Sequence, residues 1–243
     1  MTIKTTIIDG ISFSFSNEEE FAFIYKEIFR DNAYQFTTDT PTPFILDCGA
    51  HIGISTLYFK KIYPHARVIA FEPNPDTFRL LELNIKQNSI SGVEIVNAAV
   101  TSNMEDIDFY ICKETSSYLT WSWGFAGIKN AWYNPNTYKT IKVLGVRLSS
   151  YIDESVDLLK LDIEGMEEIV LKEIGDKLKL IRKIKMEFHG SIVNEFNSFE
   201  RILSLLESNE FIFEMKQRKR IVSFKEIVRT DPFKVKMSIE KIR

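Results

Sequence analysis

Three groups of residues have the types and spacing to do chemistry. The first is Asp47-Cys48-Gly49-Ala50-His51-Ile52-Gly53, a glycine-bearing stretch directly behind the apolar run Phe44-Ile45-Leu46. Glycine lets a backbone turn sharply and approach a ligand with no Cβ in the way. Nineteen residues beyond Gly53 stands Glu72, followed by Pro73 and Asn74. An acid at the end of a second strand can accept hydrogen bonds from both hydroxyls of a ribose, so loop and acid together predict a cofactor containing a nucleoside. The second group is Asp162 with Glu164, and Glu187 with His189, each pair two residues apart. Residues at i and i+2 of an extended segment face the same way, so three carboxylates and an imidazole converge if the two segments are neighbours. Repulsion and burial in such a cluster raise some of the pKa values. His189 is the candidate general base, since histidine takes up a proton near neutral pH, with Glu187 and Glu164 as its candidate catalytic partners. The third group is aromatic: Trp121, Trp123 and Trp132, all the tryptophans of the chain, fall within twelve residues. Such faces stack on sugars and on aromatic acceptors, and Glu164 and His189 would face the same acceptor.

The elements that must position these residues follow from hydrophobic periodicity. Asp9-Gly10 between two apolar-rich segments signals a tight hairpin. Asn17 reads as a helix N-cap with Glu20 at the third helical position, and Phe21, Ile24 and Ile28 form an apolar stripe. Residues 1–36 are expected to be an N-terminal hairpin and helix extension, and 37–243 one α/β domain. Within it, Phe44 to Leu46, Arg67 to Phe71, Val93 to Val96, Ile107 to Ile111, Leu158 to Leu161 and Ile181 to Phe188 read as strands. Helices are predicted over Ile54–Tyr63, Asp76–Gln87, Met166–Ile174 and Ser198–Glu207. Short apolar strands separated by helices imply right-handed crossovers and a mostly parallel sheet with helices on both faces. The end differs: Phe211 to Phe224 looks like a hairpin and Phe233 to Ile239 like a final antiparallel strand. An aromatic-rich insertion spans about 113–140.

Composition removes whole classes of function. The 243 residues carry 31 Lys and Arg against 34 Asp and Glu, a formal charge of −3, which argues against a dedicated nucleic-acid binder. The last 33 residues hold ten basic against four acidic side chains; the run Lys216 to Arg220 reads as a solvated turn or as a contact for an anionic acceptor or partner. No stretch approaches the roughly 18 apolar residues of a membrane span, and no secretory leader is evident. Two cysteines, Cys48 and Cys112, in no paired motif, exclude a disulfide framework and a cysteine-based zinc site. A cytoplasmic protein is expected, its oligomeric state left open.

A dinucleotide loop wants Gly-x-Gly-x-x-Gly against a helix N-terminus. This chain has Gly49 and Gly53 only, with bulky His51 between them and the anionic Asp47 ahead. An acidic loop suits a cofactor with a cationic portion, which favours S-adenosylmethionine over a nicotinamide dinucleotide. At this point the sequence resembles a family. Ile45 to Gly53, Phe71-Glu72-Pro73-Asn74-Pro75, Asn97-Ala98-Ala99-Val100, Leu159 to Glu167 and Glu187-Phe188-His189 are similar, in order, to the blocks of the FkbM family of S-adenosylmethionine-dependent methyltransferases. The similarity runs from about Glu27 to His189; the family's loop usually has Asn where His51 stands. The resemblance implies a class I methyltransferase, Rossmann-like fold with a seven-stranded sheet ending in an antiparallel hairpin. It also implies methylation of an oxygen, typically a hydroxyl of a sugar, glycan or natural-product scaffold.

On that basis the cofactor set is Tyr34, Asp47, Gly49, Ala50, His51, Gly53, Glu72, Pro73, Asn74, Asn97, Ala98 and Asp162. Several have plainer alternatives. Asp47 could cap the following helix, His51 could contribute backbone alone, and Ala98 could serve sheet packing. Tyr34 could lay its ring on the sulfonium or belong to the core. Glu164 could cap the helix at Met166. Carboxylates and a histidine can hold a divalent ion, but no tight ligand spacing supports one and no metal is predicted. The competing functions are an NAD(P)-dependent oxidoreductase and a catalytically silent cofactor-binding module.

Overall fold

Asp9 and Gly10 both lie in the left-handed region, at φ 50° and 78°, as a two-residue type I′ turn demands. They join β1 (Lys4–Ile8) to β2 (Ile11–Phe15). Asn17 caps helix α1 (Glu18–Tyr25), its side chain accepting from the Glu20 amide, and one π-helical turn, Lys26–Arg30, follows. The structure, a computed structural model, describes residues 2–113, 136–190, 197–217, 219–227 and 233–242 and the backbone of 124–126. Trp121, Trp123 and Trp132, the expected acceptor aromatics, lie outside the described residues.

Strand and helix then alternate: β3 (Phe44–Cys48), α2 (Ile54–Ile62), β4 (Arg67–Phe71), α3 (Pro75–Gln87) and β5 (Val93–Val96). Next come β6 (Ala99–Thr101), β7 (Asp106–Cys112), β8 (Gly124–Ala126) and β9 (Tyr138–Arg147). The chain continues through β10 (Leu158–Leu161), α4 (Glu167–Ile174), β11 (Lys183–Gly190) and α5 (Phe199–Ser208). It ends with β12 (Phe211–Gln217), β13 (Arg220–Ile221) and β14 (Phe233–Lys241).

The main sheet has the order β13-β12-β14-β11-β10-β3-β4-β5. β11, β10, β3, β4 and β5 run parallel, whereas β14 is antiparallel to both β11 and β12. The expected seven strands are therefore eight, because the chain reversal after Gln217 adds the two-residue β13 to the edge. A second departure concerns Ile107 to Ile111. That run extends to β7, which pairs with β8 and β9 in a separate four-stranded sheet that also holds β6. The ten-residue β9 was not identified from sequence, although Ile141 and Val143 alternate with Lys142 and Leu144 in the period-two pattern of a half-buried strand.

Parallel strands must be apolar on both faces, and β3 is buried at every position. Ile45, Val68, Ala70 and Leu158 point to the side covered by α2 and α3; Leu46, Ile69, Leu159 and Leu161 point to the side covered by α4 and α5. Each fully buried Ile, Leu or Phe contributes about 1.5–3 kcal/mol. The N-terminal segment belongs to the first side. Phe13 meets Phe21, Tyr25 and Phe29 with ring centroids 5.5–5.6 Å apart, and Phe29 reaches Tyr58 of α2 at 5.3 Å. Asn84 of α3 fastens the hairpin by accepting from the Ser14 amide and donating to its carbonyl. Among the described residues no helix is long and apolar enough to cross a membrane.

Candidate active site

The carboxyl ends of β3, β4, β10 and β11 meet along one edge, and strand order reverses between β3 and β10, the place where open α/β sheets bind ligands. A cavity of about 1110 Å³ opens there. Tyr34, Gly49, Ala50, His51, Glu72, Pro73, Ala98, Asp162, Glu164 and Glu187 line it. Asp47, Gly53, Asn74, Asn97 and His189 do not line it.

At the β3–β4 end the shape is set by backbone. Gly49 has φ 79° and lies so close to β10 that a Cβ would fall 2.0 Å from the Asp162 carbonyl oxygen. The Gly49 and Ala50 amides both donate to the Phe71 carbonyl. Glu72 is buried, and its two oxygens accept from the amides of His51 and Asn74, each at 2.9 Å. Burial raises its pKa, while lone pairs remain on the cavity side. Asn97 donates to the carbonyls of Glu72 and Pro73, and Asn74 caps α3, so both shape the loop from outside the cavity. Gly53 occupies the N-cap of α2.

Asp47 lies beneath the cavity wall. It is wholly buried, and Oδ2 accepts from Ser55 Oγ and Thr56 Oγ1, both at 2.7 Å. The carboxylate thus closes the first turn of α2, the alternative role read from the sequence. Its cation is Lys160 of β10, with Nζ 3.3 Å from Oδ1 and donating to the Gly49 carbonyl at 2.7 Å. Burial opposes charge on Lys160, but Asp47 and Asp162 raise its pKa. Lys160 lines the cavity and was missed, although a lone cation inside Leu158-Leu159-Lys160-Leu161 was a signal: a strand buried on both faces has no solvent for it. Tyr34 turns its ring to this ammonium, 5.1 Å away, and donates its hydroxyl to Asp162 Oδ2 at 2.8 Å. Burial and Asp162 push that hydroxyl well above its ordinary pKa. His51, at φ 54°, sets Nε2 3.3 Å from Glu20 Oε1 of α1. Burial alone would lower its pKa, but Glu20 and Glu72 leave it raised.

The β10–β11 end is built from side chains. His189 is 3% exposed, and its Nδ1 lies 3.0 Å from Glu167 Oε1. Glu167 in turn accepts from the Gly165 amide and from Asn197 Nδ2. Nε2 faces Glu164 Oε2 at 3.3 Å, Glu187 Oε1 at 3.4 Å and Asp162 Oδ1 at 3.8 Å. All three lie in ion-pair range, yet none is aligned for a hydrogen bond, and both Nε2 and Glu164 Oε2 are buried without such a partner. Burial works against charge on the ring, but Glu164 and its neighbours hold the pKa well above 6.5. His189 thus stands behind the wall, whereas the general base expected of it would be exposed to the acceptor; the cavity wall itself presents Glu164 and Glu187. Glu164 adopts φ 55° and does not cap α4.

β14 supplies what the sequence reading lacked here. Because it runs antiparallel, its first residues register with the carboxyl end of β11: Lys236 opposite Glu187, Lys234 opposite His189. Lys234 Nζ lies 3.0 Å and Lys236 Nζ 3.2 Å from the Glu187 carboxylate. Burial alone would neutralise Glu187, but Lys234 and His189 hold it well below the usual carboxylate range. Lys236 also pairs with Glu27 of the π-helical turn.

Residues 47–213 match the family described as Methyltransferase FkbM domain. The chain belongs to the FkbM methyltransferase family. It is 30% identical over 204 residues to "Methyltransferase sdnD" of Sordaria araneosa, covering 74% of this chain and 79% of that one. It is 28% identical over 206 residues to "31-O-demethyl-FK506 methyltransferase FkbM" of Streptomyces tacrolimicus, covering 74% and 79%. A solved FkbM methyltransferase from Methylobacillus flagellatus KT shares the fold, with a TM-score of 0.54 at 15% identity over 87% of this chain. The matched part is 46% of that structure's length. The protein is a methyltransferase, and the FkbM family implies S-adenosylmethionine as its methyl donor.

Proposed function

We propose that this FkbM-family chain transfers a methyl group from S-adenosylmethionine to a hydroxyl of a sugar, glycan or natural-product acceptor. The observation that carries this is one continuous cavity with a nucleoside-type end and a carboxylate end. The residues present fit the cofactor: Glu72 keeps free lone pairs for a ribose, Ala98 leaves room for a flat ring, and Gly49 keeps the loop clear of β10. When bound, S-adenosylmethionine supplies a methyl group on a sulfonium, which an acceptor oxygen takes while the bonding electrons stay on sulfur. Asp162, tied to Tyr34, is placed to favour the cationic portion. Glu164, at the wall, receives the hydroxyl and its proton beside Glu187, which Lys234 and Lys236 engage, and His189 holds the two carboxylates in position from behind. Aligning the reacting groups supplies most of the acceleration.

The name of the Streptomyces tacrolimicus relative, a 31-O-demethyl-FK506 methyltransferase, supports oxygen as the methylated atom. A dinucleotide is disfavoured because His51 fills the place of the second glycine, and a silent module would have no use for the convergent carboxylates. Calorimetry tests the cofactor: S-adenosylhomocysteine binds and NADH does not. Labelled methyl transfer to a panel of hydroxylated acceptors tests the reaction. Retention of full activity in Glu187→Gln and His189→Ala variants would remove the catalytic assignment and leave the family intact.

A further inference from the structure

Asp162 Oδ1, Glu164 Oε2 and His189 Nε2 lie within 4.8 Å of one another at the carboxylate end of the cavity. We propose that they form a divalent-cation site whose open positions take oxygens of the acceptor. The inference rests on the function proposed above for what the ion does, though not for whether it binds.

Acidic clusters are common, and this one is distinguished by what lies behind each ligand. A metal-binding imidazole usually gives its other ring N–H to a carboxylate, which fixes the tautomer and aims the lone pair. Glu167 does this to His189: it sits 3.0 Å from Nδ1 and is itself anchored by Gly165 and Asn197. Nε2 is left buried, aimed at the cluster and without a hydrogen-bond partner. Asp162 is prepared in the same manner, Tyr34 holding Oδ2 at 2.8 Å and leaving Oδ1 to face Nε2. Glu164 Oε2 is likewise buried and without a hydrogen-bond partner. Cis ligands of an ion with bonds of about 2.1 Å are roughly 3 Å apart, and the 3.3 and 3.8 Å separations from Nε2 close to that range by small side-chain rotations.

Charge also favours a cation. Four carboxylates, Asp162, Glu164, Glu167 and Glu187, gather here against Lys234, which pairs with Glu164 and Glu187, and Lys236, while Lys160 lies 3.3 Å from Asp47 and 4.0 Å from Asp162. One imidazole with two carboxylates suits a first-row ion such as Mn²⁺ better than the oxygen-only shell preferred by Mg²⁺. Three protein ligands leave positions open, and Asp162 and Glu164 line the cavity, so those positions face the acceptor. There the ion orients a hydroxyl and polarises it, the proton passing to the adjacent Glu187.

Chelator-treated protein titrated with Mn²⁺, followed by calorimetry and by electron paramagnetic resonance, tests the site without any turnover. One ion per chain is expected. Glu164→Gln and His189→Gln weaken binding by more than about tenfold, Glu167→Gln weakens it about 10–100-fold through the ring it orients, and Glu214→Gln on exposed β12 leaves it unchanged. Thermal melts and S-adenosylhomocysteine binding by each variant separate lost ligands from lost fold; should His189→Gln unfold, Glu164→Gln carries the test alone. A chain that binds S-adenosylhomocysteine but takes up no Mn²⁺, Zn²⁺ or Mg²⁺, or whose uptake ignores these substitutions, overturns the site. A chain that takes up Mn²⁺ in this pattern but not S-adenosylhomocysteine overturns the proposed function instead.

Discussion

At the β3–β4 end of the cavity the wall is made by backbone and by a carboxylate that backbone amides hold; at the β10–β11 end it is made by side chains that face one another. Gly49 and Glu72 are fixed by the main chain, and Asp47 by hydroxyls of α2. Glu164 Oε2 and His189 Nε2 make no hydrogen bond, as is also true of Asp47 Oδ1, but they meet each other on the cavity side whereas Asp47 Oδ1 meets Lys160. The first construction suits a ligand that never varies, because main-chain geometry depends little on side-chain identity. The second can change with the acceptor at the cost of a few substitutions, and it carries the polar atoms that a reaction or an ion needs.

If that contrast holds, the largest effect comes from placing a side chain where the backbone end tolerates none. Gly49→Ala must resolve a 2.0 Å clash with the Asp162 carbonyl at a φ of 79°. Strain of this kind costs about 1–3 kcal/mol, and overpacking a similar amount again. S-adenosylhomocysteine binding should disappear from calorimetry and the melting temperature should fall. Wild-type affinity in this variant would mean that the loop does not hold the cofactor.

Next in size is the buried pair that ties the two ends together. Lys160→Met strands Asp47 in the core, and removal of one partner of a buried ion pair costs about 3–5 kcal/mol. Denaturant unfolding should show that loss, and Lys160→Met combined with Asp47→Asn should recover part of it. A single variant as stable as wild type would show that Lys160 does not hold this junction.

Glu164→Gln isolates the side-chain end. Losing a proton acceptor lowers turnover by about 10²-fold or more, whereas S-adenosylhomocysteine affinity should stay within about twofold because no cofactor contact changes. A steady-state measurement of kcat beside calorimetry checks both halves. Equal loss in each would erase the distinction between the ends.

The same division decides what was legible in the sequence. Gly49, Glu72 and the strand–helix alternation were readable because local chemistry dictates them: a glycine at a tight turn, an acid at a strand end, an apolar run for a strand buried on both faces. The helix caps at Asn17 and Asn74 follow from the same kind of rule. Lys234 and Lys236 were not readable as site residues. They lie far from Glu187 along the chain, and only the antiparallel insertion of β14 between β11 and β12 places them opposite it. Asp47 shows a different ambiguity. Its position in the loop suggested a ligand contact, but a side chain pointing into the α2 turn looks the same in sequence as one pointing into the cavity. The small sheet of β6 to β9 escaped because β9 follows a stretch with no recognisable motif.

The smallest expected effect probes how the N-terminal segment is joined to the backbone end. Glu20 of α1 faces His51 at 3.3 Å, and His51 presents its amide to Glu72, so the first helix touches the loop through one imidazole. Glu72 is the other acid acting on that ring, and Lys160 the opposing cation. Together they leave its folded pKa above 6.5. A base whose pKa is raised by folding stabilises the fold fully below its unfolded pKa and loses that contribution as pH climbs through the folded value. Wild type should therefore exceed His51→Gln in melting temperature by about 2–4 °C at pH below 6.5, with the gap narrowing on the alkaline side. Glu20→Gln should show the same pH dependence, since it removes the other half of the pair. A gap that is constant with pH, or that widens as pH rises, would mean that His51 serves the loop through its backbone alone, and that the segment from α1 is held to the site by its aromatic packing rather than by charge.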